Sequence, residues 1–509
     1  VSFLRRLAGW SPKPRIARIP YVKYADLVGM GISGLTEGSV GYRSASFFIV
    51  ASVELGNTTT KCILSATNLD KGETYLLNKT VRLTKNVREP RPGEEVFGKT
   101  LWKKELTVSS VTEFISEVIT ESMATAEVDR DRDLDFVVRS TGVTAGFVTP
   151  EEVGAMIHAL AEGCLAAGVP PSKMIAPLSH DKVPQRLRKY SKLKLVPFDG
   201  AVAGCLTPRT PSEIIANEME AELSTAGIKV GAKWIDFDFR NPVITFDFGT
   251  TLKGRITDTA IPYANTIGSI AGLGGAIADA LVQGTGLVDG RQGSALEAYT
   301  ENLSEEKISW EQAEAYAEET HKYLRIMEIP PGCERFGTVP VNPSAAREAE
   351  VYLIGCDIGT NGSSIPKLRE LGGKIYGEYG KQFLFAVIDL VMVKVAYRII
   401  EIALKQGLIS KDTSIGITGR AALTGAKPKL FLEQLGRLDL YRKDEVERRV
   451  VFVEDGLALG ASAMARCMFR LGTPENPLGG NRGGRCVLSE RLKKLKIGRV
   501  SRSLYQAGG

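Results

Sequence analysis

The feature that most limits the fold of this chain is an order of turns that occurs twice. ELGNTTTK at 54–61 is followed well downstream by FDGAVAGCL at 198–206, and DFGTTLKG at 247–254 is followed by EDGLALGAS at 454–462. The first member of each pair places an acid, one spacer, a glycine and a run of hydroxyls at a strand end. The second has Asp-Gly, three small or aliphatic residues and another glycine, again just after a strand-like run. One such turn arises easily by chance. Two kinds in the same order, twice, point to an internal duplication.

Strand patterns precede these and other glycine-containing turns: FFIVASVE (47–54), DFVVRS (135–140), LKLVPFD (193–199), VITFDF (243–248), VYLIGCDI (351–358), SIGITG (414–419) and VVFVED (450–455). Helical patterns lie between several of them, among them PEEVGAMIHALAEGCLAAG (150–168). This alternation predicts an α/β architecture. The apolar run FLFAVIDLVMVKVAYRIIEIAL (383–404) approaches the length of a membrane span but contains Asp389, Lys394, Arg398 and Glu401, which are costly in lipid. It is predicted to be a long core helix.

The expected organisation is a basic extension over 1–46, a first domain over 47–240 with an excursion at 85–105, a second domain over 241–472 and a basic tail over 473–509. Much of the net charge of +6 comes from the two ends, with Arg5, Arg6, Lys13 and Arg15 at the front and Arg491, Lys493, Lys494 and Lys496 at the back. Little aromatic interleaving accompanies these cations, so solvated or partner-ordered tails are expected and nucleic acid is not. The seven cysteines are far apart, and none has the spacing of a zinc site or an iron–sulfur cluster. His158, His180 and His321 are isolated. Where a signal peptide would need an apolar stretch, the chain has Trp10, Ser11 and Pro12, so a cytoplasmic protein is expected and a membrane partner is not.

The turns suit phosphate chemistry. Gly56 removes the side chain so that an anion can approach the backbone, and the amides and hydroxyls of Asn57, Thr58, Thr59 and Thr60 are donors for phosphate oxygens. Lys61 adds positive charge unless strand alternation points it away. Glu54 is placed to hold a hydrated Mg2+, which needs only one or two carboxylates besides the phosphates. DFGTTLKG offers a second copy, with Asp247 as acid, Gly249 as the approach point and Thr250 and Thr251 as donors. Two such hairpins facing one another would grip a triphosphate from both sides. Either hairpin alone can equally be a hydrophilic β-turn.

The succession ELGNTTTK, FDGAVAGCL, DFGTTLKG, SIGITGRAALTG and EDGLALGAS resembles the phosphate-1, connect-1, phosphate-2, adenosine and connect-2 motifs of the actin-like ATPase superfamily. That superfamily includes actin, the seventy-kilodalton heat-shock proteins, and sugar and acetate kinases. The resemblance covers roughly residues 49–470. It implies duplicated ribonuclease-H-like domains with ATP/ADP and Mg2+ in the cleft between them. It implies Glu54 and Asp247 as metal-holding and catalytic acids, and Thr418, Gly419 and Arg420 at the adenosine. Within the superfamily the chain is most similar to reductive activators of corrinoid proteins, because AGLGGA (271–276) sits where that group has a glycine loop; Gly272, Gly274 and Gly275 are therefore expected at the nucleotide. As a whole, with EVFGKTLW (95–102) and GCDIGTNGSS (355–364), it resembles the archaeal methanogenesis marker protein 14 family.

That resemblance implies an ATP-dependent activator or repair factor for a methanogenesis enzyme, either a corrinoid methyltransferase or methyl-coenzyme M reductase. A separate protein would be the electron donor if the activation is reductive. Position 54 is Glu where the superfamily usually has Asp, and 418–420 is Thr-Gly-Arg where Gly-Gly is usual. Both departures leave a non-hydrolysing, nucleotide-binding scaffold as the alternative, with a small-molecule kinase third.

Other motifs compete. GEEVFGKT (93–100) matches a P-loop formally, but the charged, proline-containing KNVREPRP precedes it and Glu94 and Glu95 repel phosphate. It is expected to be a surface excursion, either solvated or partner-binding. AGLGGA lacks the third glycine of a dinucleotide fingerprint and no clean strand precedes it, which favours helix packing or phosphate approach over NAD or flavin. Asp357, Gly359, Thr360 and Asn361 form the runner-up for the second phosphate turn. RSTGVTAG (139–146) is a further strand-end turn, either structural or positioned to orient water.

Overall fold

The computed structural model describes residues 10–27, 47–69, 71–147, 149–174, 201–203, 212–259, 264, 266–299, 308–348 and 350–468. The predicted strand at 193–199, most of FDGAVAGCL, His180 and the C-terminal tail lie outside the described residues.

In chain order the first half contains β1 (Ile16–Ala17), β2 (Phe47–Leu55), β3 (Thr59–Asn68), β4 (Thr74–Leu83), β5 (Val96–Lys99), β6 (Glu105–Thr107), α1 (Val108–Ala126), β7 (Phe136–Thr141), α2 (Pro150–Ala166), β8 (Ala201–Ala203) and α3 (Ser212–Lys233). The second contains β9 (Val243–Phe248), β10 (Thr251–Thr257), β11 (Thr266–Leu273), α4 (Gly275–Gln283), α5 (Ala295–Ala298), α6 (Trp310–His321), β12 (Arg325–Glu328), β13 (Arg335–Phe336), β14 (Val339–Pro340), α7 (Pro343–Glu348), β15 (Tyr352–Asp357) and α8 (Ile365–Lys405). It ends with β16 (Ser414–Thr418), α9 (Arg420–Leu423), α10 (Lys427–Leu435), α11 (Lys443–Arg449), β17 (Val450–Val453) and α12 (Gly456–Met468).

One sheet runs β4-β3-β2-β7-β8, with an antiparallel meander β2-β3-β4 followed by β7 and β8 parallel to β2. The other repeats that order as β11-β10-β9-β16-β17, with β16 and β17 parallel to β9. It is extended by β15 and β12 beyond β11 and by β1 beyond β17. The fold is a duplicated ribonuclease-H-like α/β unit of the actin-like ATPase class.

The apolar run that makes β2 is buried almost throughout, because it is central and covered on both faces. Ile49, Ala51, Val53 and Leu55 share a core with Val111, Ile115 and Val118 of α1 and Leu160 of α2. The alternate residues Phe48 and Val50 pack with Ala461 and Ala465 of α12, which follows the last strand of the second half. α3 makes the reciprocal exchange: Ile228 and Ala232 join Val243, Val451 and Val453 of the second sheet. The two exchanged helices touch through glycine. A Cβ on Gly227 would lie 1.6 Å from the Gly456 carbonyl oxygen, and one on Gly460 would lie 1.7 Å from that of Leu223.

α2 starts where its sequence says it should. Thr149 accepts from the Glu152 amide at 3.3 Å while Glu152 Oε2 accepts from the Thr149 amide at 2.6 Å, a reciprocal cap. The predicted core helix is α8, broken at Gly380 (φ 80°) and buried from Phe383 through Val393. No helix among the described residues is long and apolar enough to cross a membrane. AGLGGA does follow a strand: its first residues are the end of β11.

Residues 15–22 and the 85–105 excursion also join the halves. Residues 15–22 pair first with β17, where Arg15 and Ala17 carbonyls accept from Phe452 and Glu454, and then with Leu76 of β4. The 85–105 excursion is not a free surface loop. It forms the β5–β6 hairpin, whose tip residues Leu101 and Trp102 are buried in the apolar cluster of the second half.

The exchanged helices make a paired prediction. Gly227→Ala places a methyl inside a backbone carbonyl and should destabilise the protein by about 3 kcal/mol or more. Gly154→Ala, in the exposed middle of α2 with nothing within 4 Å of its new methyl, should stabilise it by about 0.5–1 kcal/mol. Urea unfolding midpoints of the two variants check both signs.

Candidate functional site

Each sheet carries one acid-x-glycine hairpin between its first two strands. In the first, Glu54 of β2 is the cross-strand partner of Lys61 of β3, with a turn over residues 56–58. In the second, Asp247 of β9 is the partner of Lys253 of β10 across the shorter turn Gly249–Thr250. Cross-strand partners project on one face of a sheet, so strand alternation brings the lysine to the acid rather than away from it. Both hairpins open onto one cleft of about 720 Å³, which Glu54, Gly56, Lys61, Asp247, Gly249 and Lys253 all line.

The halves are close here. A Cβ on Gly142, at the end of β7, would lie 3.6 Å from Thr251 Oγ1 and 3.9 Å from Glu54 Oε1. Gly142 and Gly419 are equivalent in the duplication: each follows the Thr that ends the fourth strand of its sheet, and each lines the cleft. Gly419 has φ 93° and lies against the Phe248 backbone, where a Cβ would come within 2.3 Å of a carbonyl oxygen.

The floor is charged on both sides. Lys61 Nζ is 3.1 Å from Glu54 Oε2, and Lys79 Nζ of the first half is 2.6 Å from Asp455 Oδ2 of the second. Burial works against the charge of Lys61, but Glu54, Asp455 and Asp247 around it hold its ammonium above the ordinary lysine range. Asp247 is pushed the other way. Burial and the neighbouring Glu54 raise its pKa, against a 2.9 Å hydrogen bond from Ser224 Oγ and the charges of Lys61 and Lys253.

Thr59, Thr250, Thr251, Gly275, Thr418 and Arg420 also line this cleft, together with Asn57 and Thr58. Several are committed elsewhere. Asn57 Nδ2 donates to the Gly142 carbonyl at 2.6 Å, and its Oδ1 accepts from the Leu101 amide at 2.6 Å, so this side chain fixes the turn. Thr418 Oγ1 accepts from the Gly456 amide at the start of α12. Thr60 is buried off the cleft, 3.0 Å from Thr84 Oγ1. Gly272 packs on the Cys356 backbone and Gly274 on Phe248, also off the cleft wall. The amides of Gly274, Gly275 and Ala276 are used in bonding the Gly249 and Thr250 carbonyls, so the glycine loop braces the second turn. The turn at 357–361 does not reach the cleft. Asp357 is paired with Arg325 at 2.6 Å and receives the Gly359 amide.

Other residues of the site carry no signal in the sequence. At one end of the cleft Tyr299, Phe385, Ile388, Leu423 and Pro428 make an apolar wall, with the Tyr299 and Phe385 rings edge to face at 5.8 Å. Lys427 ties that wall down through Asp389 of α8 at 2.6 Å and the Thr424 carbonyl at 2.9 Å. Asp279 of α4, buried, accepts from Thr58 Oγ1 at 2.9 Å, Ser294 Oγ at 2.8 Å and the Ala295 amide at 2.8 Å. Burial pushes its pKa up to about 6.

The donor set fits a hydrated divalent cation. Two carboxylates, Glu54 and Asp247, face the same space closely enough for one to raise the pKa of the other, and Mg2+ asks for one or two carboxylates besides a ligand's phosphates. Among the described residues no cluster of three or more His, Cys, Asp or Glu forms a self-sufficient metal cage.

The chain belongs to the family described as "Uncharacterized protein conserved in archaea (DUF2114)", whose model matches residues 47–495. It is 55% identical over 450 residues to an uncharacterized protein of Methanocaldococcus jannaschii, covering 88% of this chain and 92% of that one. It is 51% identical over 496 residues to one of Methanothermobacter thermautotrophicus, covering 97% and 91%. Among solved structures, ethanolamine utilization protein EutJ from Carboxydothermus hydrogenoformans matches at 11% identity and a TM-score of 0.34, covering 87% of this chain and 96% of that one. A reductive activator for corrinoid, iron–sulfur protein matches at 11% and 0.33, covering 84% and 61%. The strand orders of the two sheets carry the fold by themselves.

The raised pKa of Asp279 predicts a pH signature. Between the unfolded carboxylate value near 3.9 and the folded value of about 6, the folded state holds a proton that the unfolded state lacks. Raising the pH through that window therefore costs the wild type about 2–3 kcal/mol relative to Asp279→Asn, and the difference is flat above it. Urea midpoints of both proteins from pH 4 to pH 8 measure it.

Proposed function

We propose that this archaeal protein binds ATP with Mg2+ between its two glycine turns and that the nucleotide state governs the approach of its halves. The observation that supports this is the convergence of Gly56 and Gly249, each two residues after a strand-end acid, on one cleft. The polyphosphate would lie against the backbone of 56–58 and 249–251, where glycine permits close approach. The apolar wall of Tyr299, Phe385 and Ile388 would take the base, with exposed Arg420 at its edge. Glu54 and Asp247 would hold the Mg2+, which supplies charge neutralisation on the transferred phosphoryl group. Asp247, which lines the cleft beside the second glycine turn, would also be the acid placed to orient an attacking water.

The biological role we propose is activation or repair of a methanogenesis enzyme, a corrinoid methyltransferase or methyl-coenzyme M reductase, as a member of the methanogenesis marker protein 14 group. The motif resemblance and the source organisms of the relatives support this. A second reading, a nucleotide-binding scaffold that does not hydrolyse, is favoured by one contact: the acid at the metal position, Glu54, is already neutralised by Lys61 at 3.1 Å.

Gly249→Ala tests the site cleanly, because its new methyl meets nothing closer than 3.5 Å in the folded protein. It should leave the unfolding midpoint unchanged while weakening Mg-ATP binding at least about tenfold by calorimetry, since only a ligand at the turn would feel the methyl. Equal affinity in both proteins, or no binding by the wild type, sinks the proposal. Phosphate release by the wild type that Asp247→Asn abolishes selects the ATPase; binding without release selects the scaffold. Native pull-downs in ATP and in ADP then identify the partner.

A further inference from the structure

The β5–β6 hairpin is needed by neither sheet, yet its tip is buried in the opposite half. Leu101 and Trp102 are 6% and 4% exposed and belong to the apolar cluster that includes Phe246, Phe248 and Leu252 of the second sheet. Trp102 Nε1 donates to Thr58 Oγ1 at 3.2 Å, and that hydroxyl donates onward to Asp279 Oδ2 at 2.9 Å. Thr58 belongs to the first glycine turn, Trp102 to the hairpin, and Asp279 to α4, which braces the second glycine turn. Three segments therefore meet at one hydroxyl. A salt bridge of 2.5 Å between Lys85 and Glu297 and a 2.7 Å bond from Arg335 Nη1 to the Phe147 carbonyl join the halves on the same side.

We propose that Trp102, Thr58 and Asp279 form a latch that couples the pose of the first glycine turn to closure of the two halves. These are positioning residues, and their effect on a nucleotide rests on the site reading above. A threonine hydroxyl has one proton to give. If a phosphate oxygen took the Thr58 proton, Asp279 would lose a donor and stand as an under-satisfied buried carboxylate beside an anion. The proton therefore stays with Asp279, and the turn meets a ligand through its backbone amides, held in place by the latch. Asn57 works to the same end, since its Oδ1 receives the amide of Leu101 in the same hairpin tip. Opening the halves breaks the Thr58–Asp279 bond and exposes the Trp102 ring in one event.

Hydrogen exchange by mass spectrometry on the full chain without nucleotide tests the latch directly. Thr58→Val and Trp102→Phe should each raise exchange in 96–107 and in 275–283 together, at least about tenfold, whereas Thr58→Ser, which keeps the hydroxyl, should match the wild type. With a fluorescent ATP analogue and Mg2+, Thr58→Val should release nucleotide about tenfold faster with the association rate constant nearly unchanged. Unchanged exchange in Thr58→Val, or an increase confined to 96–107, overturns the latch whatever the nucleotide result. A coordinated rise in exchange in a protein that binds no nucleotide upholds the latch as an inter-half clasp and removes only the nucleotide reading.

Discussion

The exchange of α3 and α12 between the halves is the constraint on which the rest of the molecule depends. Each helix leaves its own sheet and completes the core of the other, and the two cross where Gly227 and Gly460 lie against carbonyl oxygens. With no side chain between the backbones, the crossing resists sliding. Rotation about it is the cheaper motion. The hairpin turns of both sheets lie on the cleft, so a rotation at the helices would change the distance between Gly56 and Gly249.

Charge balance in the cleft limits what it can hold. Glu54, Asp247 and Asp455 are matched by Lys61, Lys79 and Lys253, and two of these acid–lysine relations are the same cross-strand register repeated by the duplication. A bare polyphosphate would meet Glu54 and Asp455 already paired with Lys61 and Lys79, and Asp247 bonded by Ser224. Its entry is favourable only if cations come with it or if the lysines turn from the acids to the anion. Under the proposed Mg-ATP reading, Glu54 and Asp247 would hold the cation in place of Lys61, and the Lys61 ammonium would then be available to the phosphates. Lys79 and Asp455 come from different halves, so the same redistribution bears on how firmly the halves are joined at the floor.

The parts of this design that local chemistry dictates were readable along the chain. An acid, a spacer and a glycine after a buried strand mean a tight turn that admits backbone contact, and the two copies do stand in equivalent hairpins. The Thr-Gly ends of β7 and β16 repeat in the same way, a correspondence that the sheet order discloses. β11 escaped a strand reading because it contains Gly268, Ser269 and Ala271. Its small residues are demanded by packing, since a Cβ at Gly268 would lie 2.9 Å from Ile256. Asp357 had every local mark of a phosphate turn, but β15 lies outside the duplicated five strands, and only the sheet order discloses that. Asp279, Tyr299 and Trp102 were unreadable for the complementary reason. Their partners are distant in sequence, 44 positions for Trp102 and Thr58 and 221 for Asp279 and Thr58, which no local pattern encodes.

The two sides of the molecule that join the halves differ in kind, and this decides where the cleft opens. Beside the crossing helices, residues 15–22 add backbone hydrogen bonds to β17 and then to β4, over a core that includes Ala17, Ile19, Ile63 and Leu76. Separating the halves there would break sheet pairing and expose apolar area at once. On the other side the joins described include polar ones, Thr58 to Asp279, Lys85 to Glu297 and Arg335 to the Phe147 carbonyl, and the apolar insertion of the hairpin tip together with Ala145. Each polar join exchanges for water at modest cost, and an exposed ion pair contributes only about 0–1 kcal/mol. If the halves open as proposed, the motion of lowest cost would swing the hairpin side open while the crossing helices and the N-terminal ribbon stay closed. Because its tip must leave an apolar core, the hairpin rather than the ion pairs sets most of the resistance to that swing.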